Sequence, residues 1–137
     1  MTSPPASEPQ RLRVIQVVDD RGTREMLALA LSLEGYEVRT VTNGLRLISC
    51  LHVDQPALLL VDLSSGWADG AALCLALRQN DEFRALPIVL IRSKKGTDDR
   101  ARLMESGASD VFPAPLHVDQ LLLRIRALVG PNPPGTP

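Results

Sequence analysis

The chain has 137 residues, a net charge of −1 and a hydrophobic content of 45%, with only 3% aromatic residues. This composition suits one globular domain with an aliphatic core. No clustered basic face of the kind that binds nucleic acid is visible, no apolar stretch is long enough to span a membrane, and residues 1–9 lack the features of a signal peptide. Cys50 and Cys74 are isolated and are expected to be buried free thiols of a cytoplasmic protein.

Both ends of the chain are rich in proline. Seven of the eleven prolines lie in residues 1–10 and 131–137. Both ends are therefore expected to be disordered, the second as a tail or the start of a linker. Residues 11–130 are long enough for a hydrophobic core and are predicted to form the one folded domain.

Between these ends, short apolar runs alternate with segments of helical periodicity. The expected strands, in chain order, are residues 12–18, 37–41, 57–61, 87–91 and 110–112. The expected helices are residues 22–34, 44–53, 70–79, 98–106 and 117–129. The strands are nearly continuous in Val, Leu and Ile, which favours a parallel sheet covered by helices on both faces. Five strand–helix units predict a doubly wound α/β fold whose ligand site lies at the carboxyl ends of the strands.

Three aspartates fall at the carboxyl ends of predicted strands. Asp19 and Asp20 follow the first strand, and Asp62 follows the third. Carboxylates that meet at one sheet edge repel each other, and a hard cation such as Mg²⁺ relieves that repulsion. Asp62 would then be able to attack a phosphoryl donor. The alternative is that the Asp19-Asp20 pair only caps the helix that begins near Arg21.

Taken in order and spacing, several motifs resemble the response-regulator receiver family. They are Val17-Val18-Asp19-Asp20, the segment 61–70 that begins Val61-Asp62, Leu86-Pro87-Ile88-Val89-Leu90, Gly107-Ala108-Ser109-Asp110, and Pro115 before the last helix. The resemblance covers about residues 12–129. It implies a flavodoxin-like (βα)5 fold with a five-stranded parallel sheet in the order 2-1-3-4-5.

The same resemblance implies a site and partners. Asp62 would be the phosphoacceptor, and Mg²⁺ would be held by Asp19, Asp20, Asp62 and the main-chain carbonyl of Ser64. The domain would be no enzyme, since it would at most accept phosphate from a histidine kinase, a phosphotransfer protein or a small phosphodonor. Direct binding to nucleic acid or to a membrane is not expected.

The last predicted helix resembles that of receivers in winged-helix transcription regulators. Those receivers dimerise through their fourth helix, fifth strand and fifth helix, which implies a homodimer through the same face here. Charge pairs for that face would come from Asp98, Asp99, Asp110, Arg124 and Arg126. The alternative is an ordinary solvated helix face, since exposed ion pairs add little stability.

The chain departs from the family where the phosphoryl group would be held. The family places Thr or Ser five residues after the proline of its fourth strand, and this chain has Arg92 there, unless a bulge presents Ser93 instead. Ala114 replaces the lysine before Pro115, and Val111 replaces the aromatic switch residue of the fifth strand. Removing one oriented donor from a charged transition state typically slows a reaction by about 10²–10³.

Two further expectations concern the loops around the site. The Ala114-Pro115 peptide bond is expected to be cis, as the equivalent bond usually is in the family. Trp67 lies five residues after Asp62, so its fluorescence is expected to report on ligands bound there.

Arg92 has three interpretations. It is an exposed residue at a strand end, or it pairs with Asp62 or Asp20 in place of the missing lysine, or it binds the phosphoryl group itself. The sequence does not separate these three.

Three functions are compatible with these residues. The first is a receiver that is phosphorylated on Asp62, and the second is a pseudo-receiver that works as an interaction module without phosphate. The third is an unrelated Mg²⁺-dependent phosphotransferase on the same fold, which is disfavoured because His52 and His117 are expected far from the acids. The sequence favours an atypical receiver with intact acids and impaired or altered phosphorylation.

Overall fold

The computed structural model describes residues 11–42, 44–65, 69–92 and 99–130. Its strands are β1 (Arg13–Val17), β2 (Glu37–Val41), β3 (Leu58–Asp62), β4 (Ile88–Arg92) and β5 (Asp110–Pro113). Its helices are α1 (Arg21–Leu33), α2 (Leu47–Asp54), α3 (Gly70–Gln79), α4 (Arg100–Glu105) and α5 (Val118–Val129). Short 3₁₀ turns lie at Gly44–Arg46, Leu63–Ser65 and Asp81–Phe83.

The five strands form one parallel sheet in the order β2-β1-β3-β4-β5. This confirms the predicted fold class and strand order. The strand ends differ slightly from the prediction: β3 extends to Asp62 and β4 extends to Arg92. Each of these residues is therefore the last of its strand, which fixes its main-chain position at the carboxyl edge of the sheet.

Side chains from the two faces of the sheet form two hydrophobic clusters. On one face, Ile15, Val17, Leu59 and Val61 pack with residues of α2, α3 and α4. On the other face, residues of β1 and β3 pack with α1 and α5 (Val14, Val18, Leu58, Leu60, Leu27, Leu31, Leu121 and Ile125). Every residue of the central strand β3 is buried. The uninterrupted apolar run that predicted a parallel strand is thus explained by helices on both faces.

Aspartate side chains set the first residues of several helices. Asp69 accepts hydrogen bonds from the N–H groups of Ala71 and Ala72, so α3 begins at Gly70 as predicted. Asp99 accepts from the N–H of Arg102 at 2.7 Å. Because a capping residue lies outside its helix, α4 begins at Arg100 rather than at the predicted residue 98.

Several smaller predictions are settled by the described residues. The Ala114-Pro115 bond is cis, as expected. Both cysteines are free thiols, with Cys74 fully buried as predicted, whereas Cys50 is only half-buried because it packs at the margin of its cluster. No helix in the described ranges is both long and apolar enough to cross a bilayer. The two proline-rich ends lie outside the described residues.

Candidate functional site

Asp19, Asp20 and Asp62 lie at the carboxyl edge of two neighbouring strands. Val17 of β1 is paired with Val61 of β3. Asp62 is therefore one residue past this pair, and Asp19 is two residues past it. Asp19 and Asp20 are exposed, whereas Asp62 is only 6% exposed. The structure thus brings the three predicted acids to one edge of the sheet.

Asp62 is held by the turn that follows its own strand. The 3₁₀ turn Leu63–Ser65 begins directly after β3, and the N–H of Ser64 donates a hydrogen bond of 2.9 Å to Oδ1 of Asp62. A main-chain donor of this kind fixes the orientation of the carboxylate. Ser64, whose carbonyl is a predicted metal ligand, is therefore adjacent to the carboxylate.

Asp20 caps α1. Its Oδ2 atom accepts hydrogen bonds from the main-chain N–H of Thr23 at 2.9 Å and from the Thr23 hydroxyl at 2.8 Å. These two bonds, the main-chain bond first, hold the pKa of Asp20 below its usual range, and the charge of Arg24 contributes in the same direction. The capping alternative raised from the sequence is therefore realised in this structure.

Thr23 and Arg24 are site residues that the sequence analysis missed. Nη1 of Arg24 donates to the main-chain carbonyl of Asp19 at 3.1 Å. The Arg24 carbonyl in turn accepts from Nε2 of the buried Gln16 at 3.0 Å. Their signal was present in the spacing, because residues three and four positions after an N-cap lie in the first turn of its helix.

Arg92 is the last residue of β4 and is half-buried. Its neighbour Ile91 is paired with Asp62, and Arg92 itself is paired with Pro113 of β5. No ion pair joins Arg92 to Asp62 or Asp20 within the described ranges, so the pairing interpretation is not realised there. Ser93, the alternative hydroxyl, lies outside the described residues, as does Trp67.

Of the two other altered positions, Val111 lies in β5 and Ala114 directly follows that strand. The N–H of Ala114 donates to the carbonyl of Arg92 at 3.0 Å, so its methyl group occupies the end of the strand where the family has lysine. Val111 is 4% exposed and belongs to the core. The aromatic residue of this strand is its neighbour Phe112, which packs on the opposite face against the α1 and α5 cluster.

The candidate metal ligands are all oxygen atoms, the type that hard divalent cations prefer. In residues 11–42, 44–65, 69–92 and 99–130, however, no group of three or more His, Cys, Asp or Glu side chains is arranged to hold a metal ion. The capping bonds of Asp20 also commit one of its oxygens to Thr23. The ligands thus fit magnesium in their chemistry, while Asp20 itself is bonded as a helix cap.

Comparison with known proteins identifies the family of the chain. A family model described as the response regulator receiver domain matches residues 14–126. The chain belongs to the response regulator receiver domain family. Its relatives include the response regulator MprA of Mycobacterium leprae, 33% identical over 118 residues, which cover 86% of this chain and 51% of that protein. MprA of Mycobacterium tuberculosis is 32% identical over 86% of this chain and 50% of its own length. The receiver therefore spans about half the length of these curated relatives.

Solved structures of receivers share the fold. The signal receiver domain of a response regulator from Bermanella marisrubri has a TM-score of 0.77 and 29% identity, and the match covers 88% of this chain and all of that one (100%). The receiver domain of the sensor histidine kinase PA1611 from Pseudomonas aeruginosa has a TM-score of 0.75 over 88% of this chain and 99% of that one. That domain was solved with a magnesium ion in its active-site cleft; at 19% identity, the likeness is one of fold.

Proposed function

We propose that this receiver is a phosphorylation-controlled switch of a two-component system, with Asp62 as its phosphoacceptor. The observation that carries the proposal is the position of Asp62. Its carboxylate ends the central strand, is fixed by the N–H of Ser64 and lies at the same edge as Asp19 and Asp20. Neighbouring carboxylates of this kind make a poor structural cluster, because their charges repel, but they suit a site for a cation and a phosphoryl group.

The proposed reaction needs only one nucleophilic atom from the chain. Since Oδ1 of Asp62 accepts from Ser64, Oδ2 is the oxygen that attacks the phosphorus atom. The bond between phosphorus and the donor breaks as the new oxygen–phosphorus bond forms, leaving an aspartyl phosphate. The donor is a phosphohistidine of a histidine kinase or phosphotransfer protein, or a small phosphodonor.

Mg²⁺ is the proposed cofactor. Asp19, Asp20, Asp62 and the main-chain carbonyl of Ser64 would hold it, since all four supply oxygen atoms. When bound, the ion would offset negative charge on the carboxylates and on the transferring phosphoryl group. The magnesium in the PA1611 receiver supports this assignment by analogy of fold.

Phosphorylation is proposed to be altered rather than lost. Ala114 carries no ammonium group, so the cation that the family supplies from β5 is missing. Arg92 lies one residue beyond the partner of Asp62, and we assign its guanidinium to the phosphoryl oxygens. Because position 111 is valine, the movement of an aromatic side chain at this position in typical receivers cannot take place here.

A homodimer is a further proposal for this receiver. A homodimer through α4, β5 and α5 would have to form although Asp110 already pairs with Arg100 and Arg124 in its own chain. Asp99 is likewise engaged as the cap of α4, and Asp98 lies outside the described residues. Direct contact of this domain with nucleic acid and a location outside the cytoplasm are not expected.

Incubation with acetyl phosphate and Mg²⁺, followed by intact-protein mass spectrometry, tests the proposal. We expect the mass of one phosphoryl group to be added to the wild type and not to Asp62→Asn. Asp119→Asn, which removes an exposed carboxylate from α5, is the matched control and should be phosphorylated like the wild type. Ala114→Lys restores the missing cation and is expected to speed phosphorylation by about tenfold or more.

The second candidate is a pseudo-receiver, an interaction module that works without phosphate. The cap on Asp20 favours it, because a carboxylate that serves as a helix cap has a structural reason to be present without any metal. This function predicts no mass change for the wild type with either acetyl phosphate or a kinase. It also predicts that Ala114→Lys remains unphosphorylated.

A further inference from the structure

We propose that the first turn of α1 competes with Mg²⁺ for Asp20, and that Thr23 thereby lowers the metal affinity of the site. The proposal rests on the proposed function, since it concerns the same ligands. It goes beyond that function by assigning a role to Thr23 and Arg24, which supply no metal ligand.

The contacts of Oδ2 on Asp20 give the reason for competition. This oxygen accepts from both the main-chain N–H and the hydroxyl of Thr23, at 2.9 and 2.8 Å. Two donors at these distances occupy the two lone pairs of a carboxylate oxygen. A metal ion that takes this oxygen as a ligand must therefore displace at least one of these two hydrogen bonds.

The main chain of Asp20 also restrains movement of this carboxylate. Its backbone is extended, with φ −67° and ψ 123°, and its carbonyl accepts from the N–H of Arg24 at 2.9 Å. Side chain and carbonyl are thus both bonded to the first turn of α1. Moving the carboxylate toward Asp62 is therefore coupled to loosening of the turn that contains Thr23 and Arg24.

Arg24 adds a positive charge to the same arrangement. Its guanidinium donates to the carbonyl of Asp19 and lies near enough to Asp20 to stabilise the ionised carboxylate. The Arg24 carbonyl is anchored by Gln16, a fully buried residue of β1. A divalent cation that binds Asp19 and Asp20 is therefore repelled by the charge of Arg24, and it finds Oδ2 of Asp20 already hydrogen-bonded.

Thr23→Val tests the competition directly. Valine has nearly the shape of threonine and keeps the main-chain N–H, so the variant removes only the hydroxyl donor. Titration with MgCl₂, followed by isothermal calorimetry or by amide chemical shifts, is expected to show about tenfold tighter binding than the wild type. The amides of Thr23 and Arg24 in the wild type are expected to exchange faster with solvent once Mg²⁺ is bound.

Two further variants sharpen the result. Ser106→Ala is the matched control: it removes a hydroxyl that donates to the Arg102 carbonyl at 2.8 Å, at the C-terminal end of α4, and should leave Mg²⁺ affinity unchanged. Arg24→Gln should raise Mg²⁺ affinity at low ionic strength and lose this gain in high salt, because its effect is electrostatic. The gain of Thr23→Val should persist in salt.

The possible results separate this inference from the function on which it rests. Equal or weaker Mg²⁺ binding by Thr23→Val, with the wild type still phosphorylated on Asp62, would overturn the competition alone. Absence of Mg²⁺ binding by both proteins, with no phosphorylation of Asp62, would overturn the competition together with the proposed function.

Discussion

Asp110 of β5 and Arg124 of α5 form an ion pair within one chain, with Nε of Arg124 2.8 Å from Oδ2 of Asp110. Arg100 of α4 lies 2.8 Å from the other oxygen, which also accepts from the N–H of Val111. Burial by itself would raise the pKa of Asp110, but the Val111 N–H and the two guanidinium groups together hold it below its usual range. One carboxylate thus connects all three elements of the face for which dimerisation was predicted.

Loss of the ion pair between Asp110 and Arg124 is expected to lower the stability of the fold at neutral pH but not in acid. Arg124→Gln should lower the free energy of unfolding by about 0.5–1 kcal/mol at pH 7. Because the folded-state pKa of Asp110 is depressed, the stability it contributes is present above its unfolded pKa of about 4 and is lost as pH falls through the folded value. Urea unfolding of both proteins at neutral and acidic pH measures this difference.

Arg126→Gln, on the same helix, is the control and should change stability little at either pH. Size-exclusion chromatography adds an independent check on the dimer face. If Arg124 instead pairs with Asp110 of a second copy, Arg124→Gln will reduce the apparent mass of the protein, which the observed pairing within the chain does not predict.

Gln16 is a buried polar residue whose side-chain N–H donors are expected to contribute to the stability of the fold. Its Nε2 donates to the Arg24 carbonyl and to the Thr40 hydroxyl, both at 3.0 Å, and its Oε1 has no partner among the described residues. Gln16→Glu would place an anionic oxygen against the Arg24 carbonyl. We expect it to cost about 3 kcal/mol or more at neutral pH, because the Thr40 hydroxyl alone is a poor substitute for the hydration of a buried charge.

The pH dependence identifies that mechanism. Burial raises the pKa of a glutamate, so the penalty should shrink as the carboxyl becomes neutral in acid and grow as pH rises through the raised pKa. Gln16→Met loses the same hydrogen bonds without introducing charge and should cost about 1–2 kcal/mol at every pH. If the free energies of unfolding of the two variants, measured in urea, changed equally with pH, this account would be contradicted.

The sequence was sufficient for the fold because the evidence for it is local. The run Leu58-Leu59-Leu60-Val61 is buried on both faces, so its lack of alternation directly indicates a parallel central strand. The side-chain partners of Asp20 and Asp110 were harder to predict. The spacing of Thr23 from Asp20 carried a signal that could have identified this partner. No such signal exists for Asp110, because the sequence does not give the distances between β5, α4 and α5 and so cannot show that its ion pairs form within one chain.

Among the residues that the structure describes, Arg78 of α3 binds four main-chain carbonyls and no carboxylate. Nε and Nη2 donate to the carbonyl of Gly107 at 3.0 and 2.7 Å. Nη1 donates to the carbonyls that follow α3 (Phe83 at 3.0 Å, Arg84 at 3.2 Å and Leu86 at 2.6 Å). Burial lowers the pKa of Arg78, with the nearby Cys74 acting in the opposite direction. One side chain therefore fixes α3 to the segments on both sides of β4.

Arg78→Met is expected to lower the free energy of unfolding by about 2–4 kcal/mol, because methionine keeps the apolar stem but leaves the part-buried carbonyls of Leu86 and Gly107 without this donor. Arg78→Lys should recover less than half of this loss, since one ammonium group cannot span both segments. The measurement is equilibrium unfolding in urea, with the same dependence of unfolding free energy on urea concentration fitted to all three proteins. Full recovery of stability by lysine would show that the charge, rather than the planar set of donors, is what matters.

The two cysteines should differ sharply in reactivity. Cys74 is fully buried, and its burial raises the pKa of the thiol to about 11, with Arg78 acting in the opposite direction. Since the thiolate is the reactive form, Cys74 should be inert at pH 8 in the folded protein, whereas the half-buried Cys50 should react. Iodoacetamide labelling followed by peptide mass spectrometry is expected to modify Cys50 first and Cys74 only in urea. Cys50→Ser isolates the slow reaction, and labelling of Cys74 in that variant as fast as Cys50 in the wild type would mean that the core around α3 opens without global unfolding.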